Sequence, residues 1–554
     1  QGEGERVSET GLRDGSRPYE RRRIWAVAVV AGFATCLYLL TLADTHTFDA
    51  VTYAALAQNP ALPQSLMLFL HPHHLAYHIL SYIVYRLWLL LGWQGGSLFP
   101  LQVLSALLAG LGLVLFARLL SQWVRTSVVL VTTVLLAICH GYWLFSISVE
   151  VYTLSFVMLV LAAHASLELQ RRGSQRAALM AGIGLGLAVL AHVMNALFWG
   201  VVVCAVLLTP VETRSHRVRL LLVASAAAGA IVLVPYALTI LVLQLDSWQE
   251  ISYWLTLYAH TGRGGDLSNR RLQMASLLMA IEGLRDFFVA LKPGPPWQLS
   301  LVLLLPVSLW SVWGYRANHR PAALCLLWLC LYGAFITWWS PGGELWLPLL
   351  PPALILLALA ANSLSPSGRR IILTTLLLSA GVMGMLNWRN GLSKQQRQMI
   401  SGGKENAEAI AACMGSGDQV ITTTPLYPML SYYGEVMPVS FDLAFFIAEM
   451  QGRDEVRERA IGALLETIEE ALNGGRRILI TEEVLNGTWL SAKYGMGPQE
   501  VHSVLAPYHL EPTSCSYVAT HIQGSPALKV YRIERRSIPD QGQLPLPESM
   551  ERGL

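Results

Sequence analysis

Four groups of residues in this chain carry side chains suited to chemistry. The first is Thr47-Phe48-Asp49-Ala50-Val51-Thr52-Tyr53, with Tyr53 one helical turn beyond Asp49. A hydroxyl or amide is a poor nucleophile until a base takes its proton, and a carboxylate such as Asp49 can be that base. An Asp at this place can equally cap a helix, and residue type alone favours the cap. The second group is His71-Pro72-His73-His74 with His78. His74 and His78 share a helical face, which permits a metal site. No Glu or Cys completes one locally, so hydrogen bonding to a phosphate or to the backbone is the stronger expectation. The third is Ser148-Val149-Glu150-Val151-Tyr152. A carboxylate at the edge of hydrocarbon is costly and so a functional candidate, but a helix N-terminus also favours one; the two readings weigh the same. The fourth is His260-Thr261-Gly262-Arg263-Gly264-Gly265-Asp266. Its glycines can form an anion nest and Arg263 can grip a phosphate, although ligand-free loop tips share this composition.

What must position these residues is a membrane. Of 554 residues 54% are hydrophobic and only 14% charged, with a mean hydropathy of +0.46. Several runs reach about 20 residues without Lys, Arg, Asp or Glu, enough to cross a hydrocarbon core of about 30 Å. The pattern predicts about eleven spans, near 24–43, 99–117, 126–145, 150–168, 177–192, 195–210, 218–242, 298–315, 321–339, 344–362 and 370–388. Arg21 to Arg23 precede the first, which reads as a retained anchor behind a disordered tail, 1–20. The other arginine clusters (Arg118 with Arg125; Arg171, Arg172 and Arg176; Arg214, Arg217 and Arg219; Arg316 with Arg320; Arg369 with Arg370) then fall on the same, cytoplasmic side. Counting 73–93 as a span would reverse every later loop, so that segment reads as an amphipathic helix in the interface. Two long outer loops result, 44–98 and 244–297.

After about residue 390 the composition becomes that of a soluble domain, 391–536, followed by a flexible tail, 537–554. Helical patterns at 404–413 and 453–473 alternate with strand-like QVITT (419–423), RILIT (477–481) and LKVYRI (528–533), which predicts a small α/β domain without a phosphate loop. The topology puts it outside. Cys413 and Cys515 lie in it and can pair if it is extracytoplasmic. The other cysteines lie in or beside apolar runs and show no metal spacing. A net charge of +3 is too small to suggest nucleic acid.

With this topology Asp44, His46, Asp49, His71, His73, His74, His78, Glu150, His192, Asn195 and Glu344 gather at the outer ends of spans, while the span middles, His164 aside, are bare. A transporter would place polar groups near the midplane. A polar rim on one face instead suits chemistry on a lipid-borne headgroup. A flippase of a lipid-linked substrate and a non-catalytic assembly subunit are the alternatives; the first needs a polar path across the membrane, the second replaceable Asp49 and Glu150.

The order of these features resembles the GT-C glycosyltransferases, in particular the protein O-mannosyltransferase and lipid A aminoarabinose transferase branch. Asp49, Tyr53 and Ala57 match an Asp-x-x-x-Tyr-x-x-x-Ala segment after the first span. His71-Pro72-His73 is similar to a His-Pro-Pro motif in the same loop, with His in place of the second Pro. Glu150-Val151-Tyr152-Thr153-Leu154 looks like the second acidic motif, and Leu345-Trp346-Leu347-Pro348-Leu349-Leu350-Pro351-Pro352 like an aromatic-Leu-Pro-x-x-Pro span. The resemblance covers about 21–390 and implies a mainly α, polytopic fold. It implies inverting transfer of a sugar from a polyprenyl-phosphate donor to a protein, lipid or glycan acceptor at the outer face of the bilayer. Asp49 and Glu150 would be catalytic, with Tyr53, His71, His74, Tyr152, His192, Asn195, Arg263 and Glu344 binding substrate. Relatives carry basic residues where His192 and Glu344 stand, so donor phosphate binding shifts to His192, Arg263 or a divalent metal.

Overall fold

The computed structural model describes residues 17–256, 319–392 and 401–536, apart from 45, 60–62, 212, 340–342, 416, 425, 435, 452–454, 489–490, 492 and 519–526. The chain divides into two units, Gln1–Met399 and Ile400–Leu554.

The first unit is helical. Ten of the eleven expected spans each coincide with a helix or a pair of helices, and the span expected at 298–315 lies outside the described residues. Among the described residues seven helices are long and apolar enough to cross a membrane, and a bent pair makes an eighth. In chain order the unit runs α1 (Arg17–Leu40), α2 (Phe48–Gln58), α3 (Pro63–Phe69), α4 (Leu75–Leu90), α5 (Leu98–Leu120), α6 (Thr126–Ile138), α7 (His140–Ile147), α8 (Tyr152–Arg172), α9 (Gln175–Ala191), α10 (Trp199–Leu207), α11 (Arg214–Val242) and α12 (Trp248–Leu255). Helices His319–Trp339, Leu350–Ser363 and Pro366–Leu386 follow.

Three packing features bring one set of helix ends together. First, α9 is threaded between α8 and α11 by glycines. A Cβ on Gly184 would come within 2.9 Å of the Ala162 backbone of α8, and one on Gly182 within 2.2 Å of the Ala224 carbonyl of α11. Such close approach substitutes for the hydrophobic drive that lipid cannot supply between helices. Second, α6 and α7 meet at a 62° bend. A break at this depth frees carbonyls that must find donors. Tyr38 Oη donates to Ala137 O at 2.7 Å and Asn387 Nδ2 to Ile138 O at 2.7 Å. Third, Gln102 of α5 donates to Ala43 O at 2.7 Å and to Ile147 O at 3.0 Å, while Ala43 N–H donates to Ile147 O at 3.2 Å. The chain leaving α1 is thereby tied beside the chain leaving α7.

The segment expected in the interface forms α4. It buries Tyr77, His78, Ser81 and Tyr85 and exposes Ile79, Ile83, Leu87 and Leu90. Its polar face therefore turns into the protein and its apolar face outward, the arrangement required beside lipid.

The second unit is a five-stranded sheet of order β2-β1-β3-β5-β4. β1 (Gln419–Thr422), β2 (Met437–Ser440) and β3 (Ile478–Thr481) are parallel; β4 (Tyr508–Val518) and β5 (Ala527–Arg535) are antiparallel. Phe441, Phe445, Leu464, Ile468, Ile478 and Ile480 fill one core with Ile533. The sequence pattern misses β2 and β4. β2 has four residues, one of them Pro438. β4 is a polar edge strand with Pro512 and a register shift between Pro512 and Ser516, features that suit a sheet edge and hide it from a hydrophobic pattern. Cys413 and Cys515 form a disulfide across 102 residues of sequence.

Candidate functional site

The tie between the ends of α1 and α7 sets residues 44–47 beside 148–150. Thr47 Oγ1 donates to Glu150 Oε1 at 3.0 Å. The same oxygen accepts from Ala50 N–H at 3.0 Å, so Thr47 is the N-cap of α2. This removes the bland reading of Asp49: the capping position belongs to Thr47, and Asp49 lies in the first turn beyond it, half-buried. The helix dipole there favours the ionised carboxylate. The residue before α8 is Val151, which makes no capping bond, and Glu150 is 5% exposed. Burial at that level requires hydrogen bonding, which Thr47 supplies.

Tyr53, four residues past Asp49, turns its ring onto a group of imidazoles. Its centroid lies 6.2 Å from His74, 5.3 Å from His78 and 5.5 Å from Tyr77. His71 stacks on His74 at 5.6 Å, and His74 meets His192 at 4.8 Å. His192 in turn stacks on Tyr152 at 5.7 Å. His71, His74, His192, Tyr53 and Tyr152, drawn from four stretches of chain, thus form one cluster whose two ends lie next to Asp49 and Glu150 in sequence.

The proton positions in two of these rings follow from the backbone. His71 Nδ1 accepts from His73 N–H at 3.2 Å, and His192 Nδ1 accepts from Met194 N–H at 3.2 Å. A neutral imidazole that accepts at Nδ1 carries its proton on Nε2. His71 and His192 therefore each present an N–H donor. His78 is the opposite case: its Nδ1 donates to Phe69 O at 2.7 Å, and its buried Nε2 meets no hydrogen-bond partner. Burial pushes the His73 imidazole in the adjoining turn down to about 4, so that ring is neutral at physiological pH.

One expected contact is used elsewhere. Asn195 is fully buried and its side chain is used inside the helix packing. Nδ2 donates to Ser155 Oγ at 2.9 Å and to Ala188 O at 2.8 Å, and Oδ1 accepts from Tyr332 at 3.1 Å. With both donors spent it is a tie between helices, in place of the substrate contact expected. Arg263 and the side chain of Glu344 lie outside the described residues. Among the described residues no group of three His, Cys, Asp or Glu side chains is disposed to hold a metal ion.

Sequence reasoning passed over Thr47, Gln102 and Tyr77. Thr47 stood inside the first motif, and its place two residues before an acid at a helix start was a usable capping signal. Tyr77 is fully buried beside Tyr53 and within Coulombic reach of Glu150. Gln102 acts only through the tertiary fold and carried no local signal.

Two crystal structures of ArnT from Cupriavidus metallidurans match this arrangement. One is in the apo state and one is bound to undecaprenyl phosphate, with TM-scores of 0.61 and 0.59 at 14% identity, over 91% of this chain and 97% of theirs. The chain shares the fold of these two structures. No protein-family model matches the sequence, and no curated protein matches it by sequence. The helical first unit and the small α/β second unit are the architecture expected from the sequence.

Proposed function

We propose that this protein is a membrane glycosyltransferase. It takes a sugar from a polyprenyl-phosphate donor and passes it to an acceptor at the extracytoplasmic face of the bilayer. The observation that carries the reading is the junction at Thr47, which holds the helix start bearing Asp49 against the buried Glu150 and next to the imidazole cluster. Asp49 takes the proton of the acceptor hydroxyl or amide. The acceptor oxygen or nitrogen bonds to the anomeric carbon, the bond from that carbon to the phosphate oxygen breaks, and the electron pair leaves on the polyprenyl phosphate with inversion. A phosphate leaves without a strong acid, so what helps is donors aimed at the developing anion. The Nε2–H groups of His71 and His192 are such donors, with Tyr53 and Tyr152 flanking them. Glu150, held by Thr47, orients the acceptor. The undecaprenyl phosphate bound by ArnT, which shares the fold, supports a donor of this class.

The test is turnover by the purified chain in liposomes with a panel of undecaprenyl-phosphate sugars. Loss of a donor with release of undecaprenyl phosphate, by transfer or by slow hydrolysis, is expected for one of them. If no donor is turned over and none binds, the reading is wrong.

A further inference from the structure

The structure assigns Tyr236 and Trp254 as positioning residues that hold the histidine turn 70–74 in the shape that receives the donor. The assignment rests on the donor reading above. It starts from an accounting of backbone groups. The turn is not helical, so its carbonyls need partners from elsewhere. Each one from Phe69 to His74 has one. Phe69 O accepts from His78 Nδ1. His71 O accepts from His74 N–H, and His74 O from the N–H groups of Tyr77 and His78. These bonds are local. The other three come from far along the chain: Leu70 O accepts from Trp254 Nε1 at 3.2 Å, Pro72 O from Tyr236 Oη at 2.6 Å, and His73 O from Val193 N–H at 3.1 Å.

The three remote donors sit on the elements that frame the cluster. Val193 follows His192. Tyr236 lies on α11 directly after Pro235, the proline inside that helix. Trp254 lies on α12, is fully buried, and meets the Tyr236 ring edge-on at 5.4 Å. The two rings therefore move as a pair. α12 holds the turn a second time, because the His73 ring hydrogen-bonds the Leu255 backbone. Its own start is fixed by a capping box in which Ser247 and Glu250 bond each other's backbone N–H groups. Carbonyls anchored from one side leave the side chains of His71 and His74 directed into the cluster with Tyr53 and His192. A shift of about 1 Å in such a constellation can cost on the order of 100-fold.

The clean variant is Tyr236→Phe, which deletes one hydroxyl and keeps the ring contact. Full-length protein in lipid nanodiscs is titrated with undecaprenyl phosphate, with His192→Ala as a cluster control and thermal unfolding measured alongside. Tyr236→Phe is expected to weaken binding about 10-fold while the unfolding midpoint moves by no more than about 4 °C. Trp254→Phe should act in the same direction, and the double variant should fall short of the product of the two, since both act on one turn. Tyr236→Phe with unchanged affinity, while His192→Ala loses it, would overturn the assignment and leave the donor reading standing. Unchanged affinity in both variants would overturn both.

Discussion

Asp49 and Glu150 are both carboxylates at one end of a helical bundle, and their surroundings differ. Glu150 is buried and accepts a hydrogen bond from Thr47, while Asp49 is half-buried in the first turn of a helix already capped by that same threonine. A buried, hydrogen-bonded carboxylate orients; a more accessible one can take a proton and pass it to solvent. Asp49→Asn is therefore expected to slow transfer about 10²–10⁴-fold, the usual share of general-base catalysis, with undecaprenyl phosphate affinity nearly unchanged. Near-normal turnover in the Asn variant would end the base assignment, since Asn supplies size and hydrogen bonding but no proton acceptor. Thr47→Val separates the other role. It removes the link to Glu150 and the cap together, so both turnover and the stability of α2 should fall, the latter by about 1 kcal/mol. Thr47→Ser should restore both. At this scale the motif residues were legible because carboxylates, histidines and their spacing can be read directly. Thr47 and Tyr77 were harder to see, since a threonine or tyrosine in an apolar run has many ordinary uses and only the fold brings Thr47 onto Glu150 and Tyr77 beside Tyr53.

Elements carry the site in two ways, and each has its own test. The glycines of α9 let α8, α9 and α11 approach closely, which brings Tyr152, His192 and Tyr236 to neighbouring positions at one end. Gly182→Leu would drive a side chain into the Ala224 carbonyl, 2.2 Å from the added Cβ. Overpacking typically costs about 1–3 kcal/mol, and backbone cannot yield as a side chain can. The expected outcome is loss of folded protein on extraction, measured by size-exclusion chromatography; a well-folded, fully binding variant would show that the approach is dispensable. The histidine turn, in contrast, responds to acid. His73 is held down to about 4 from an ordinary value of 6.5, so the opened turn binds a proton first as pH falls. The closed turn is thus favoured fully above about 6.5 and loses stability progressively towards 4. Hydrogen exchange of the amides of His73, His74 and Tyr77 should accelerate over that window and be flat above it; a His73→Gln variant should show a smaller acceleration, because burial also holds His71, His74 and His78 below the ordinary value. The helices themselves were legible from hydropathy because lipid demands long apolar runs. The bend between α6 and α7 was not, because its partners Tyr38 and Asn387 come from distant sequence.

At the scale of the whole molecule, the sidedness of the chain joins its parts into one proposal, and it follows from charge rather than from any single contact. Arginine clusters recur at one end of the helices, with Arg118, Arg171 and Arg172 in the last turns of α5 and α8. The residues of the candidate site all lie at the opposite end. From the positive-inside rule we propose that the site and the C-terminal unit are both extracytoplasmic. The disulfide between Cys413 and Cys515 is an independent argument for the same side, because such bonds persist in oxidising compartments and are rare in the cytosol. The two arguments share no residue and no physics, so they can be tested separately. A reporter that is active only in the cytoplasm, fused after Arg552, should be silent. In a variant lacking Cys36, Cys139, Cys204, Cys325 and Cys330, the two remaining thiols should resist maleimide in intact membranes and after denaturation, and react only once reduced. An active reporter with reactive thiols would reverse the topology and place Asp49 on the cytoplasmic side, away from any outer-leaflet acceptor. A silent reporter with reactive thiols would keep the topology and remove only the disulfide from the argument.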